Sequence, residues 1–208
     1  MSLARTTDQP AIQPAEARDA RAAADLIHQT DPGVWGYLFR NDRKAFDRFA
    51  IGLWQRPDNN FSFTESVVVR DRGEPIALEM GYRGDAELAL RLRMRAEAVA
   101  FLPEEDIGPL LVQAEDIDYL APHIPAEAYY VHFLSVRPDR QGAGLGRSLL
   151  DNVRRRAERL GCGEIHLDVY TDNPAVALYR AFGFRVAVES RFPHKPGLPA
   201  HFRMVRAL

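Results

Sequence analysis

Apolar residues in the first part of the chain recur at helical spacing. The clearest repeat predicts a helix over residues 42–55. Its apolar members are Phe46, Phe49, Ala50 and Leu53. A second helix is predicted at about 16–29, after a short strand around 11–13. The segment Asp31-Pro32-Gly33 is rich in turn formers, so we expect it to end that second helix.

The pattern then changes to that of extended strands. Residues 66–70 are rich in valine, residues 75–82 are mostly apolar, and the polar turn between them contains Gly73. This arrangement predicts a β-hairpin. Residues 84–125 follow as a predicted helical insertion, with one apolar face formed by Leu88, Leu92 and Ala96. Four prolines are expected to divide the insertion: Pro103, Pro109, Pro122 and Pro125.

Strands and helices alternate more regularly in the second half of the chain. The predicted elements are a strand at 129–136, a helix at 145–160, a strand at 164–170, a helix at 174–182 that ends at Gly183, and strands at 184–190 and 202–207. This alternation indicates a domain of mixed α/β class.

Composition narrows the class of protein. The chain has 208 residues, of which 46% are apolar and 27% charged, as in an ordinary globular protein. We expect residues 1–10 to be a flexible N-terminal tail and residues 11–208 to form a single domain that includes the 84–125 insertion. No apolar stretch approaches the roughly 18 residues of a membrane span, and no apolar signal segment is present, so a cytoplasmic location without membrane contact is expected.

Charge and cysteine content exclude further classes. The net charge of −2 and the pI near 6.3 argue against non-specific binding of nucleic acid, which depends on neutralising phosphates. Cys162 is the single cysteine, so neither an internal disulfide nor a cysteine cluster for a metal can form. The six histidines are scattered without ligand spacing, and we therefore expect no metal.

A glycine-rich turn precedes a strongly amphipathic helix, whose apolar stripe consists of Leu145, Leu149, Leu150, Val153, Ala157 and Leu160. The turn reads Gln141-Gly142-Ala143-Gly144-Leu145-Gly146-Arg147. Glycines allow backbone amides to approach an oxyanion closely, and the start of a helix adds unpaired N–H groups and a positive dipole end. Such a turn can hold a phosphate or can be an ordinary tight turn. The spacing matches neither the dinucleotide pattern G-x-G-x-x-G nor the nucleotide P-loop, because Arg147 stands where the P-loop requires lysine.

The segment from Phe133 to Gly146 resembles the coenzyme A signature of the GNAT acetyltransferase superfamily. In that signature a strand and a proline-bearing turn lead to Q/R-x-x-G-x-G/A at a helix start, and Gln141, Gly144 and Gly146 occupy its fixed positions. Downstream, the run from Asn173 to Phe184 looks like a relaxed form of the family's second motif, N-x-x-A-x-x-L-Y-x-x-x-G-F. The resemblance is good over about 129–184 and looser over the hairpin before it.

The resemblance implies a fold and a cofactor. The expected fold is an α/β (α+β) domain with a central mixed, mostly antiparallel twisted sheet, a splayed strand pair and flanking helices. The strand that ends at Val136 would splay from its neighbour through a bulge and pair with the pantetheine arm of acetyl-CoA. The turn amides would hold the pyrophosphate, with Arg140 or Arg147 near the outer phosphates. The implied cofactor-binding residues are Leu134, Ser135, Val136, Gln141, Gly142, Ala143, Gly144, Leu145, Gly146, Arg147 and Asn173.

Two residues are candidates for catalysis. The tyrosine that matches Tyr179 lies near the cofactor sulfur in the family and can protonate the departing thiolate; the alternative is a packed aromatic residue. His132 stands on the strand where relatives often carry an acidic base, and it is either the base or a structural histidine. Glu79, Tyr129 and Tyr130 compete for the base role. Asn173 precedes Pro174 and is also a good helix cap.

The function implied is an acetyl-CoA-dependent N-acetyltransferase that moves an acetyl group to a primary amine by direct attack in a ternary complex. The expected partners are acetyl-CoA and a small amine or peptide amine, with a homodimer left open. Acidic residues of the insertion, from Glu104 to Asp118, either attract a cationic amine or form a solvated face. The alternatives are a non-catalytic acyl-CoA-binding sensor on the same scaffold and a nucleotide-binding protein.

Overall fold

The computed structural model describes residues 11–118, 122–192 and 198–208, so the predicted tail at 1–10 lies outside the described residues. The elements are β1 (Ile12–Pro14), α1 (Ala20–His28), α2 (Pro32–Leu38), α3 (Arg43–Trp54), β2 (Ser66–Asp71), β3 (Glu74–Arg83), α4 (Glu87–Phe101), α5 (Glu104–Asp118), β4 (Tyr129–Val136), α6 (Leu145–Arg159), β5 (Glu164–Tyr170), α7 (Ala175–Ala181), β6 (Arg185–Ser190) and β7 (His201–Ala207).

The strands form one seven-stranded sheet in the order β1-β2-β3-β4-β5-β7-β6. Every neighbouring pair is antiparallel except β4 and β5, which are parallel. The predicted mixed, mostly antiparallel sheet with flanking helices is therefore confirmed. The parallel pair is possible because α6 crosses from the end of β4 to the start of β5.

The parallel pair β4–β5 separates soon after it forms. Pairing covers only residues 129–131 of β4 and 165–167 of β5. Directly after this stretch β4 carries a bulge on its other side, because Gly81 pairs with Val131 while Met80 pairs with Phe133. His132 is thus the extra residue of the bulge. A bulge bends the strand that carries it, so the last residues of β4 turn away from β5 and leave a gap in the sheet.

Helices cover both faces of the sheet. On one face, α1, α2 and α3 bury a large aromatic cluster, of which Phe46 and Trp54 are almost completely inaccessible. On the other face, α6 packs against β3, β4 and β5 through the apolar stripe predicted from the sequence. The buried members of that stripe are Leu145, Leu149, Leu150, Val153 and Ala157. Leu160 follows the last helical residue and is 47% exposed, so it does not share the burial of the stripe.

Two local expectations were wrong, and a third was incomplete. The segment Asp31-Pro32-Gly33 does not only end a helix: it starts α2, because the Asp31 carboxylate accepts from the Val34 N–H and Pro32 fits the first helical position. Pro109 lies inside α5 instead of dividing the insertion. The predicted apolar face of α4 points to solvent, with Leu88 and Leu92 each more than half exposed, while Leu90 and Ala98 are its buried residues.

A buried charge pair ties α6 to the middle of the sheet. Glu79 on β3 is fully buried, and its carboxylate accepts from Arg156 Nη1 and from the Tyr129 hydroxyl, each at 2.8 Å. Burial raises the pKa of Glu79, and Arg156 offsets part of that rise. Because these three side chains satisfy one another, the Glu79–Arg156 pair holds the sheet and α6 together.

We expect Arg156→Leu to lower the free energy of unfolding by about 3–5 kcal/mol, because it leaves the Glu79 carboxylate buried without its cation. Urea denaturation measures the loss. The double variant Glu79→Met, Arg156→Leu is the control and should recover most of the stability, since no charge then stays unpaired. A single variant as stable as the wild type would contradict this account.

Candidate active site

A cleft of about 920 Å³ opens where β4 and β5 separate. Its walls come from β4, the turn before α6, the first turn of α6, the second half of β5, α7 and the connection between α1 and α2. The structure brings every predicted site residue except Ala143 to this cleft. Those that line it are His132, Leu134, Ser135, Val136, Gln141, Gly142, Gly144, Leu145, Gly146, Arg147, Asn173 and Tyr179.

The start of α6 presents free backbone donors to the cleft. Gly144 is the residue before the helix and has φ 81° and ψ 0°, a left-handed conformation that glycine adopts without strain. The first intrahelical bond runs from the Ser148 N–H to the Gly144 carbonyl, at 3.0 Å. The amides of Leu145, Gly146 and Arg147 precede it and have no intrahelical acceptor. Gly144 also lacks a side chain that could cap them, so these donors can serve an anion.

Two further glycines shape this turn. Gly142 has φ 78°, again in the left-handed region. Gly146 sits where α6 and α7 approach closely, because a Cβ atom there would come within 3.0 Å of Leu178 Cδ2. The turn therefore needs glycine for its backbone conformation at 142 and 144, and for close packing at 146.

The two arginines near the turn differ in their pairing. Arg140 binds the carboxylate of Asp71 on the β2–β3 hairpin. Arg147 is exposed at the start of α6 and lines the cleft, and among residues 11–118, 122–192 and 198–208 it makes no ion pair. Arg147 is thus the more available cation for a phosphate group.

The free side of β4 faces the gap. The Arg137 N–H donates to the Ile76 carbonyl on β3, and backbone groups alternate in direction along a strand, so those of Leu134 and Val136 point away from β3. The Val136 carbonyl accepts from two side-chain amides, Gln29 Nε2 at 3.0 Å and Gln141 Nε2 at 3.1 Å. The free edge of β4 that was expected to pair with a ligand is therefore present, but the Val136 carbonyl on this edge already accepts hydrogen bonds from the protein.

Tyr179 lines the cleft from α7. Its ring is buried and meets the Phe184 ring edge-on, with 5.8 Å between centroids. Burial raises the pKa of Tyr179 above its usual value, so the hydroxyl keeps its proton at neutral pH. Asn173, just before α7, accepts from the Ala175 N–H at 2.8 Å, which confirms the expected helix cap.

His132 occupies the bulge at the inner end of the cleft. Both ring nitrogens are buried and have no hydrogen-bond partner within the described part of the chain. The ring is surrounded by aromatic neighbours, with Phe61, Tyr82 and Tyr130 at centroid distances of 5.7–5.8 Å. Burial lowers the pKa of His132 to about 3, so the ring is neutral at pH 7. Its nitrogens can accept a proton or a hydrogen bond, but only as a weak base.

Two carboxylates of the cleft, Asp168 and Asp31, were not predicted as site residues from the sequence. Asp168 on β5 accepts from the Tyr130 hydroxyl at 2.9 Å and from Arg203 on β7 at 2.6 and 2.7 Å. Asp31 faces His201 at 2.6 Å. These pairs join residues 35 to 170 positions apart, so no local motif could have indicated them. Of the alternative bases, Tyr130 lines the cleft, whereas Glu79 and Tyr129 belong to the buried pair with Arg156.

No three side chains of histidine, cysteine, aspartate or glutamate among the described residues come together as ligands for a metal ion. None of the helices described has the length and apolar character to cross a membrane.

Part of the chain matches known proteins in sequence. Residues 96–184 match the family model described as the acetyltransferase (GNAT) family. An uncharacterised protein of Mycobacterium leprae is 41% identical over 81 residues, which make up 38% of this chain and 22% of the relative. The N-alpha-acetyltransferase RimI of Mycobacterium tuberculosis is 40% identical over 96 residues, which make up 45% of this chain and 58% of the relative. The chain thus spans less than two thirds of either curated relative.

The fold matches solved structures over nearly its whole length. An N-acetyltransferase from Staphylococcus aureus Mu50 superposes with a TM-score of 0.74 and 15% identity, covering 94% of this chain and 99% of that one. At this identity the likeness concerns the fold. The match of residues 96–184 to the family model confirms the family resemblance indicated by the two motifs.

The environment of His132 predicts an acid-sensitive stability. Its pKa is lower in the folded chain than the ordinary value near 6.5, so unfolded protein takes up the proton first as the pH falls. We expect the free energy of unfolding to fall by about 2 kcal/mol because of His132 when the pH is lowered from 7 to 5. Urea titrations of wild type and His132→Phe at both pH values measure it as the difference between the two proteins. Equal pH dependence in both would contradict the burial of the ring nitrogens.

Proposed function

We propose that the chain, whose residues 96–184 match the acetyltransferase (GNAT) family model, is an acetyl-CoA-dependent N-acetyltransferase acting on a primary amine. The observation that carries the proposal is the set of free amides at the start of α6, which open onto the cleft between the separated strands β4 and β5. Free amides at a helix start suit a diphosphate, and the exposed edge of β4 suits an extended arm that carries amides of its own.

The residues of the cleft fit acetyl-CoA. The amides of residues 142–147 and the guanidinium of Arg147 would hold the diphosphate, and the backbone of Leu134 and Val136 would hold the pantetheine arm. Ser135 is directed elsewhere, because its hydroxyl donates to the Leu26 carbonyl. When bound, acetyl-CoA supplies a thioester whose carbonyl carbon is open to attack by a neutral amine.

Tyr179 and His132 are the proposed proton donor and acceptor. Tyr179 lies in the cleft wall with its hydroxyl protonated, so it can give a proton to a departing thiolate. His132 lies at the inner end, and its ring nitrogens, which have no hydrogen-bond partner among the described residues, can take a proton from an acceptor amine. Because burial makes His132 a weak base, we propose that it assists amines of which a substantial part is already neutral at the working pH.

The proposed acceptor is an amine on a peptide or on a small molecule. Similarity to an enzyme named N-alpha-acetyltransferase supports a peptide α-amine, whose ordinary pKa of about 7.7–8.0 leaves part of it neutral at pH 7.5. A homodimer and a cytoplasmic location stay predictions.

A non-catalytic acyl-CoA sensor is the second candidate, favoured by the weak basicity of His132. Coenzyme A release with a panel of peptides and amines decides between the two, because a sensor binds acetyl-CoA and releases none.

Gly144→Leu should weaken acetyl-CoA binding at least about 100-fold, because a side chain at this left-handed position displaces the turn whose amides hold the diphosphate. Isothermal titration calorimetry measures the affinity. Gly161→Leu is the matched control: Gly161 is also left-handed, with φ 69°, but lies beyond the other end of α6. The control should lose similar stability and keep its affinity. An unaltered affinity in Gly144→Leu would refute the proposed site.

Tyr179→Phe should lower the turnover number by about 10²-fold or more while cofactor affinity changes little, since only the proton donor is removed. Steady-state release of coenzyme A and calorimetric titration measure the two quantities. Phe182→Tyr is the control for altered packing, because Phe182 is an aromatic residue that directly follows α7. Full turnover in Tyr179→Phe would assign Tyr179 to the core alone.

A further inference from the structure

One helix of the insertion reaches the cleft. Apolar residues of α5 recur at helical spacing, and this face packs against the aromatic cluster that α1, α2 and α3 bury. The members of the face are Ile107, Leu110, Ala114 and Ile117. Ile117 is the last of them and lines the cleft, which no other described residue of the insertion does. The insertion thus adds one apolar side chain to a cleft whose other walls belong to the rest of the fold.

Polar contacts hold α5 in place near both of its ends. Near the start, the Asp106 carboxylate accepts from Arg48 Nε at 2.7 Å and from Arg48 Nη2 at 2.9 Å, which joins α5 to α3. Near the end, Asp116 accepts from the Tyr37 hydroxyl of α2, and Gln113 Nε2 donates to the Tyr37 carbonyl at 2.6 Å. Because α2 and α3 are themselves packed in the core, the last turn of α5 has a defined place beside the cleft.

Ile117 belongs to an apolar surface that extends to His132. The Trp35 and Phe133 rings line the cleft with 5.9 Å between their centroids, and Ile117 packs against the cluster that contains both rings. Phe133 in turn lies next to the His132 ring, at 4.1 Å between centroids. Apolar side chains therefore lead from α5 to the proposed proton acceptor.

The carboxylates that line the cleft are already engaged by the protein. Asp168 accepts from Arg203 on β7 at 2.6 and 2.7 Å. Asp31 accepts from the Val34 N–H at 3.0 Å through Oδ1, and its Oδ2 lies 2.6 Å from His201 Nε2. No further carboxylate among the described residues lines the cleft. A second positive charge on an acceptor would find no free anion there, so a polyamine is a poor fit.

We propose that Ile117 is a specificity-determining residue, and that Ile117, Trp35 and Phe133 form a pocket for an apolar group next to the acceptor amine. The preferred acceptor is then a peptide whose first residue is large and apolar. This inference rests on the proposed function. Such a pocket also suits a weak base, because removal from water disfavours the ammonium form of a bound amine.

Three peptides that differ only in their first residue, which is leucine, serine or lysine, test the pocket on the full chain. Steady-state release of coenzyme A should give the leucine peptide a kcat/KM at least about tenfold higher than either of the others, a discrimination typical of an apolar pocket. Ile117→Asp should reduce this preference to less than about threefold, because a carboxylate then lies in the pocket wall. Its affinity for acetyl-CoA should stay within about threefold of wild type, since the proposed cofactor contacts are on β4 and α6.

Val112→Asp is the matched control, because Val112 lies on the same helix, is 70% exposed and does not line the cleft. It should keep the wild-type preference for the leucine peptide. If Ile117→Asp fails to fold, Ile117→Ala should lower the preference in the same direction, because it removes part of the apolar wall.

Three outcomes would overturn the pocket: wild-type protein without a preference for the leucine peptide, an unchanged preference in Ile117→Asp, or an equal loss in Val112→Asp. Failure of the proposed function looks different, since wild-type protein would then bind no acetyl-CoA or release no coenzyme A with any amine. Calorimetric titration of the three peptides separates the two cases, because the pocket gives the leucine peptide the lowest Kd without turnover. Absence of binding by all three peptides would contradict the pocket.

Discussion

The early separation of β4 from β5 is the constraint on which the rest of the structure depends. A parallel pair normally continues as long as both strands run, and here it stops after three residues because the bulge at His132 turns β4 away. Separation leaves the backbone of Leu134 and Val136 without a strand partner in the middle of the sheet. Buried backbone groups must find partners, so such an edge is a place for a ligand or for polar side chains. The structure uses side chains, from Gln29 and Gln141, on the Val136 carbonyl.

Rigid packing surrounds this gap on both faces. The Glu79–Arg156–Tyr129 network fixes α6 against β3 and β4, and the close approach of Gly146 to Leu178 fixes α6 against α7. The free amides at the start of α6 are therefore held in position by elements that do not themselves touch a ligand. This is the pre-organisation that a binding site for an anion requires, because little conformational entropy remains to be lost on binding.

The electrostatics of the cleft differ between its two ends. Free amides and Arg147 make the outer end positive in character, next to the start of α6. At the inner end, Asp168 is neutralised by Arg203, and the neutral His132 ring lies among aromatic rings. Asp31 Oδ2 lies 2.6 Å from His201 Nε2 in the wall of the cleft. Carboxylates that are already paired cannot act as strong bases, which is why the proposed chemistry turns to amines that are neutral without help.

The sequence by itself determined the order of β4, α6, β5 and α7, the glycine turn and the expected family, because these features depend on residues close together along the chain. Helix starts, amphipathic repeats and glycine positions are set by local backbone geometry, and even β4 and β5 were predicted to the residue. Tertiary structure decided which face of α4 is exposed, that Pro109 fits within α5, and that Glu79 belongs to a buried pair. It also decided the Asp31–His201 pairing across 170 positions. Such contacts exist only once the sheet order is set, and no local pattern encodes that order.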